Sequence, residues 1–208
     1  MTGTGEGRDM FKRTKRMPRV LLIGDSIRMR YATLVAKSLK DVAKVIIIKE
    51  NCEDSAKVLA NVQKWLRMAE PALLRVVHFN SGLHDVKRAY GSERRQQPLQ
   101  AYIDNLRQIV ALVRAGSSAR LVWATTTPVI FERHHARKGF DRFEEDVIEY
   151  NKAALALMEE LNIPVDDLYD YILRYGKERA ISGDGVHMTD EGNRALAAAV
   201  ASYLRGCL

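Results

Sequence analysis

The stretch Arg19–Arg30, RVLLIGDSIRMR, decides how the rest of the chain is read. An apolar run of five residues, Val20 to Gly24, ends abruptly in a glycine, a carboxylate and a serine. Apolar runs of this length, without alternation, are strands covered on both faces. The strand therefore delivers Ser26 to the place where it leaves the core. A serine there can be a turn residue, the N-cap of the helix expected over about Arg28–Leu39, a phosphate ligand or a nucleophile.

The same alternation continues along the chain. Further strands are expected at Lys44–Ile48, Leu74–Phe79 and Arg120–Ala124, with a weaker one at Ile163–Val165. Between them lie segments of helical period: Val58, Leu59, Val62, Trp65 and Leu66, then Leu99, Tyr102, Ile103, Leu106, Ile109, Val110 and Val113. Val147, Ile148, Leu155, Met158 and Leu161 suggest a third face. A final helix is expected after Thr189, a suitable N-cap, with Asp190 and Glu191 at the positive end of its dipole and Leu196, Val200, Tyr203 and Leu204 buried. Strands alternating with helices predict a three-layer α/β/α sandwich, a flavodoxin-like parallel sheet of about five strands with right-handed crossovers. Ligands in such sheets bind beyond the carboxyl ends of the strands, which places Ser26, the residues after Phe79 and those after Ala124 at one rim. Gly91–Pro98 and Arg133–Gly139 read as polar loops.

Composition fits a folded domain: 208 residues, 47% hydrophobic and 28% charged. The formal charge of +7 permits contact with anionic surfaces and says nothing of fold. Residues 1–17, with Arg8, Lys12, Arg13, Lys15 and Arg16, read as a solvated basic tail, an anion-binding arm being the sharper alternative. Residues 18–208 read as the domain. Cys52 and Cys207 form no disulfide framework and have no paired metal-ligand spacing, which favours a reducing compartment. No stretch reaches the roughly 20 apolar residues of a membrane span, nor is there a signal-peptide core. The cytoplasm is the expected location, with no membrane or nucleic-acid partner and no metal or cofactor. Oligomeric state is not legible.

Ser26 needs partners to be more than a cap. Phosphate cradles require several glycines and a following lysine, which GDSIRMR lacks. The partners stand at the other end, in SGDGVHMTDEG, 182–192, where Asp184 and His187 are three apart just before the last helix. In a tight turn that spacing lets the carboxylate reach one ring nitrogen while the other faces outward, as Ser–His–Asp chemistry requires.

The blocks GDSI after the first strand, NSGLHD after the third and DGVH before the last helix resemble those of the SGNH, or GDSL-like, hydrolase superfamily. The resemblance runs from about Arg19 to Leu204 and implies a flavodoxin-like sandwich, with Ser26 as nucleophile, His187 as base and Asp184 as the acid that orients it. It also implies an oxyanion hole built from the serine's own N–H, a backbone N–H from a glycine after the second strand, and an asparagine in a Gly-x-Asn-Asp block. Here the second loop reads KENCEDS, without glycine, so Glu53, or alternatively Cys52, is the expected backbone donor. The third block reads Gly82-Leu83-His84-Asp85, so His84 takes the asparagine position; Asn80 is the competing donor.

Asp25, Asp85, Thr126 and Val186 flank these residues and are expected to line the substrate site. The segment 131–146, FERHHARKGFDRFEED, is expected to form a loop or lid in which Arg133, His134, His135, Arg137 and Lys138 hold an acidic or sugar substrate. The expected activity is hydrolysis of short acyl esters, acetyl groups on carbohydrate among them. A thioesterase or lysophospholipase on the same triad, and a non-catalytic binding module of the same fold, are the alternatives.

Overall fold

The computed structural model describes residues 16–208. The basic tail expected over 1–17 therefore lies, except for its last two residues, outside the described residues. Five strands form one wholly parallel sheet in the order β2-β1-β3-β4-β5: β1 (Arg19–Ile23), β2 (Lys44–Ile47), β3 (Leu74–Phe79), β4 (Arg120–Ala124) and β5 (Val165–Asp166). The central strands are sealed: Val20, Leu21 and Leu22 of β1, and Val76, Val77 and Phe79 of β3, have no exposed surface. Among the described residues, seven α-helices follow in chain order: α1 (Ser26–Leu39), α2 (Ser55–Met68), α3 (Leu99–Gly116), α4 (Phe131–His135), α5 (Glu144–Glu160), α6 (Leu168–Ala180) and α7 (Asp190–Arg205). α7 packs on α1 and α6, while α3 packs on α2 and α5, which gives the two helical layers of the expected sandwich. One buried cluster runs from Val20 to Leu204.

Several boundaries differ from expectation for definite reasons. β2 ends one residue early, at Ile47. β5 begins after Pro164, not before it, because proline has no N–H for the ladder; its carbonyl still accepts from Trp123 N–H at 3.0 Å. Helix α1 starts at Ser26, not Arg28, because Asp25 and not Ser26 is the N-cap: Asp25 Oδ1 accepts from Ile27 N–H at 2.9 Å. On α5 the buried face is Val147, Tyr150, Asn151, Ala154, Leu157 and Met158, whereas Ile148 and Leu155 are 49% and 38% exposed. The segment 131–146 is not a lid-like loop. It holds α4, a bridge between Arg88 and Asp141, and the first turn of α5. Helix α6 has no counterpart in the expectation, since only Leu168, Ile172 and Ala180 of its length are buried and Gly176 breaks its geometry. Among the described residues no helix is long and apolar enough to cross a membrane.

The carboxyl ends of the strands lie level. Ile23 pairs with Phe79, and Asn80 N–H reaches Ile23 O at 3.1 Å; Thr125 N–H reaches Asp166 O at 3.1 Å. Ser26, the Asn80–Asp85 loop and the Thr125–Thr127 loop therefore leave the sheet at one edge.

Candidate active site

Ser26 occupies the first turn of α1 and is free to point outward because Asp25 does the capping. Its position is braced from below by Arg28, an arginine only 2% exposed. Arg28 donates to Gly24 O through Nε and Nη2 (3.2 and 2.8 Å), to Ile48 O through Nη1 (2.6 Å) and to Glu50 O through Nη2 (2.9 Å). The β1–α1 and β2–α2 loops are thereby tied to one guanidinium. Arginine at this position was not singled out in the sequence, where IRMR reads as an ordinary helix start with alternating charge.

The turn before α7 brings the second element. His187 Nε2 lies 2.8 Å from Ser26 Oγ, across 161 positions of sequence, and His187 Nδ1 lies 2.6 Å from Asp184 Oδ2. A carboxylate only accepts, so Nδ1 carries the ring proton and Nε2 accepts from the Ser26 hydroxyl. Asp184 Oδ1 meanwhile accepts from Ser182 Oγ (2.9 Å), Val186 N–H (3.1 Å) and His187 N–H (2.9 Å). Burial on its own would raise the Asp184 pKa. The bonds from His187, Val186 and Ser182 outweigh it and hold the carboxyl well below the usual carboxylate range. Gly185 makes the turn possible. Its φ is +76°, and a Cβ there would stand 2.4 Å from Ile130 O and 2.5 Å from His134 N.

The oxyanion donors expected from sequence are unequally placed. Asn80 uses its amide inside the protein, donating to Ala124 O at 2.8 Å and Thr126 Oγ1 at 3.3 Å. His84 makes no side-chain hydrogen bond among the described residues, and burial lowers its pKa, so the imidazole is neutral and keeps one N–H to give. Cys52 N–H is directed at Gly24 O (3.3 Å), and burial pushes its thiol pKa up. Glu53 has φ +52°, a conformation that suits glycine better than glutamate, and its N–H meets Asn51 Oδ1 at 2.9 Å. Its side chain pairs with Lys57 at 2.7 Å.

The four residues expected to line the substrate offer almost no surface. Asp25, Thr126, Val186 and Asp85 are 2%, 1%, 2% and 0% exposed. Asp25, Asp85 and Thr126 bind backbone instead, Thr126 through Oγ1 to Ser81 O at 3.1 Å. Asp85 accepts from Ser55 N–H at 2.9 Å, and its burial raises its pKa to about 7. Thr126 is held by Asn151, which accepts from its N–H (2.9 Å) and donates to its carbonyl (2.8 Å). Asp25, Asp85 and Thr126 were marked by following strand ends and Val186 by adjoining His187, but polar residues at strand ends also fix loops, as Asp85 and Thr126 do here. In the 131–146 segment, Arg133 donates to Ile181 O (2.9 Å), His135 pairs with Asp141 (2.7 Å) and His134 is fully buried. Burial, followed by the nearby Arg142 charge, lowers the His134 pKa to about 4. Of the five residues expected to hold substrate, Arg137, over Gly183, and Lys138, 3.7 Å from Asp184 Oδ2, reach the triad turn with their charged ends. Among the described residues no group of three His, Cys, Asp or Glu side chains could hold a metal ion.

Solved structures of similar shape agree with this arrangement as a fold. A lipase/acylhydrolase from Enterococcus faecalis superimposes with a TM-score of 0.74 over 91% of this chain and 96% of its own, at 21% identity. The acetyl xylan esterase AlAXEase gives 0.70 over 89% and 99%, at 21% identity. A carbohydrate acetylesterase from Sinorhizobium meliloti gives 0.72 over 92% and 100%, at 16% identity. By sequence, a GDSL esterase/lipase of Arabidopsis thaliana is 29% identical over 114 residues, a match spanning 49% of this chain and 47%, about half, of that relative. The sequence pattern of the GDSL-like lipase/acylhydrolase family matches residues 23–195, from the end of β1 into α7, and this chain accordingly belongs to that family.

Proposed function

We propose that the protein is a serine ester hydrolase acting through Ser26, His187 and Asp184. The observation that carries the reading is the unbroken relay from Ser26 Oγ to His187 Nε2 (2.8 Å) and from His187 Nδ1 to Asp184 Oδ2 (2.6 Å). Ser26 Oγ attacks the ester carbonyl carbon as its proton passes to His187 Nε2. The carbonyl electron pair moves to oxygen, and the tetrahedral oxyanion is held by Ser26 N–H and the neutral imidazole of His84. Glu53 N–H joins them when it turns from Asn51 Oδ1. Collapse expels the alcohol, which takes the proton from His187. Water, deprotonated by the same nitrogen, then releases the acid and restores Ser26. Asp184 stays ionised throughout, as its depressed pKa requires, and stabilises the transient imidazolium.

Short acyl esters, acetyl esters of carbohydrates included, are the substrates this reading favours; two structural neighbours carry acetyl esterase names. Two free cysteines, Cys52 buried and Cys207 partly so, suit a reducing compartment such as the cytoplasm. The test is fluorophosphonate labelling with peptide mapping, joined to p-nitrophenyl acetate kinetics. The label falls on Ser26, and Ser26→Ala lowers turnover by at least about a thousandfold. Labelling elsewhere, or undiminished turnover in the folded variant, refutes the reading; a folded wild type that neither labels nor turns over ester leaves a non-catalytic binding module.

A further inference from the structure

The segment between α4 and α5 brings a charge to the site that the triad does not use. Arg142 is 5% exposed, although arginine is almost never buried without a charged partner. Its Nε donates to Leu83 O, the carbonyl immediately before His84. Its guanidinium lies over the Phe140 ring, 4.9 Å from the centroid, and Lys87 Nζ sits 4.1 Å from the same centroid. Among the described residues, Nη1 and Nη2 meet no acceptor and no carboxylate approaches within 4.0 Å; neither nitrogen is sealed from solvent. One edge of the guanidinium is thus anchored, and its fork is left open.

The surroundings are those of the active site. Burial lowers the Arg142 pKa to about 10, opposed by the charges of Asp25 and Asp184, so the group is cationic at neutral pH and within electrostatic reach of both carboxylates. Its charge is also felt at His84. Two more cations stand at the triad turn. Arg137 Nη1 lies 2.9 Å from where a Cβ on Gly183 would be, and Lys138 Nζ lies 3.7 Å from Asp184 Oδ2.

Resting on the ester-hydrolase reading, we propose that Arg142 is the specificity-determining residue of the site and that its open Nη pair binds a carboxylate carried by the substrate ester. A planar fork with two free donors matches a carboxylate bidentately, which a lysine cannot do. Bracing the Leu83 carbonyl needs only Nε; it does not account for an arginine 5% exposed whose Nη pair meets no acceptor among the described residues. Arg137 and Lys138 add a positive rim that draws an anionic ester toward Ser26.

The test reads binding without turnover, on the full-length Ser26→Ala protein, by titration calorimetry with 4-acetoxybenzoate and its methyl ester. The carboxylate is expected to bind at least about tenfold more tightly than the methyl ester, and Arg142→Gln to bring the ratio to about one. Arg142→Lys, which keeps charge but not the fork, retains part of the ratio and substitutes for the glutamine variant if that fails to fold. Equal binding of the two probes, no binding of either at millimolar concentration, or an unchanged ratio in folded Arg142→Gln overturns the proposal. In the last case both affinities fall together and the guanidinium only braces the loop. If the wild type labels nowhere and hydrolyses no ester while the carboxylate preference persists and depends on Arg142, the ester-hydrolase reading fails and the carboxylate site stands.

Discussion

Replacing Asp184 by asparagine tests the relay at its most constrained point, because the structure fixes which way the amide turns. Asp184 Oδ1 accepts two backbone N–H groups, from Val186 and His187, while Oδ2 faces His187 Nδ1. An asparagine that keeps its oxygen on the two N–H groups must aim its NH2 at Nδ1. The ring then holds its proton on Nε2 and cannot accept one from Ser26. The opposite rotamer restores the right tautomer but faces NH2 toward two N–H donors, orphaning both. At about 1–2 kcal/mol for each, that orientation is disfavoured by about 2–4 kcal/mol. It is then populated at roughly 3% down to 0.1%, which bounds any activity recovered through it. Asp184→Asn is therefore expected to lower kcat/KM for p-nitrophenyl acetate by at least about 30-fold. The loss approaches the ~10,000-fold that the wrong tautomer causes in serine proteases, about 5.5 kcal/mol of transition-state stabilisation. The fold should survive, since the preferred rotamer keeps both backbone bonds. Steady-state kinetics with a thermal melt decide it. A folded variant with more than about a tenth of wild-type kcat/KM refutes the assigned role of the Asp184–His187 bond.

His84→Ala should lower kcat by roughly 100- to 1,000-fold with little change in KM, because an oxyanion donor acts mainly in the transition state. Asn80→Ala, which removes bonds to Ala124 O and Thr126 Oγ1, should instead lower stability by about 1 kcal/mol; the reverse pattern in paired kinetics and melts would exchange their roles. Asp85 has a folded pKa of about 7 against an ordinary 3.8, so the folded state binds the extra proton between those values. Its contribution to stability is intact below about pH 4 and is lost as pH rises through 7, by a few kcal/mol at most. Asp85→Asn keeps an acceptor for Ser55 N–H and removes this slope, so denaturant titrations at pH 5 and 8 should show the variant gaining relative to wild type at pH 8. Arg28→Met strips the donor from the buried carbonyls of Gly24 and Ile48 and from the partly exposed carbonyl of Glu50. A loss of about 3 kcal/mol or more, some 6–12 °C in Tm, is expected by calorimetry, and a change under 1 kcal/mol would show that the two loops hold without it.

What the sequence revealed, and what it hid, follows from the range of the interactions. Strands β1, β3 and β4 were legible to the residue because each is a short apolar run sealed on both faces and cut off by polar residues. The Asp184–His187 pair was legible because three positions in one tight turn suffice to make it. Whether Ser26 caps α1 was undecidable locally, since Asp25 and Ser26 are both good capping residues. Which of them caps is decided by the oxygen that reaches Ile27 N–H, that of Asp25. The substrate side was harder to read for a related reason: Asp85 and Thr126 bind buried backbone, and pattern alone does not separate that need from ligand binding. Arg28 and Arg142 were invisible because a charged residue in a charged stretch looks solvated, and only tertiary packing buries it. Their burial is nonetheless the more informative fact. Arg28 meets every demand of its fork with carbonyls already in the protein, whereas Arg142 leaves its fork open beside the residues that would do the chemistry. Desolvating a guanidinium costs several kcal/mol unless something answers it. The protein answers it at Arg28. At Arg142 solvent reaches the fork until, on the proposal above, a substrate carboxylate replaces it, so ligand affinity and the protein's own stability are coupled there: a bound carboxylate should raise the melting temperature more than its neutral ester does.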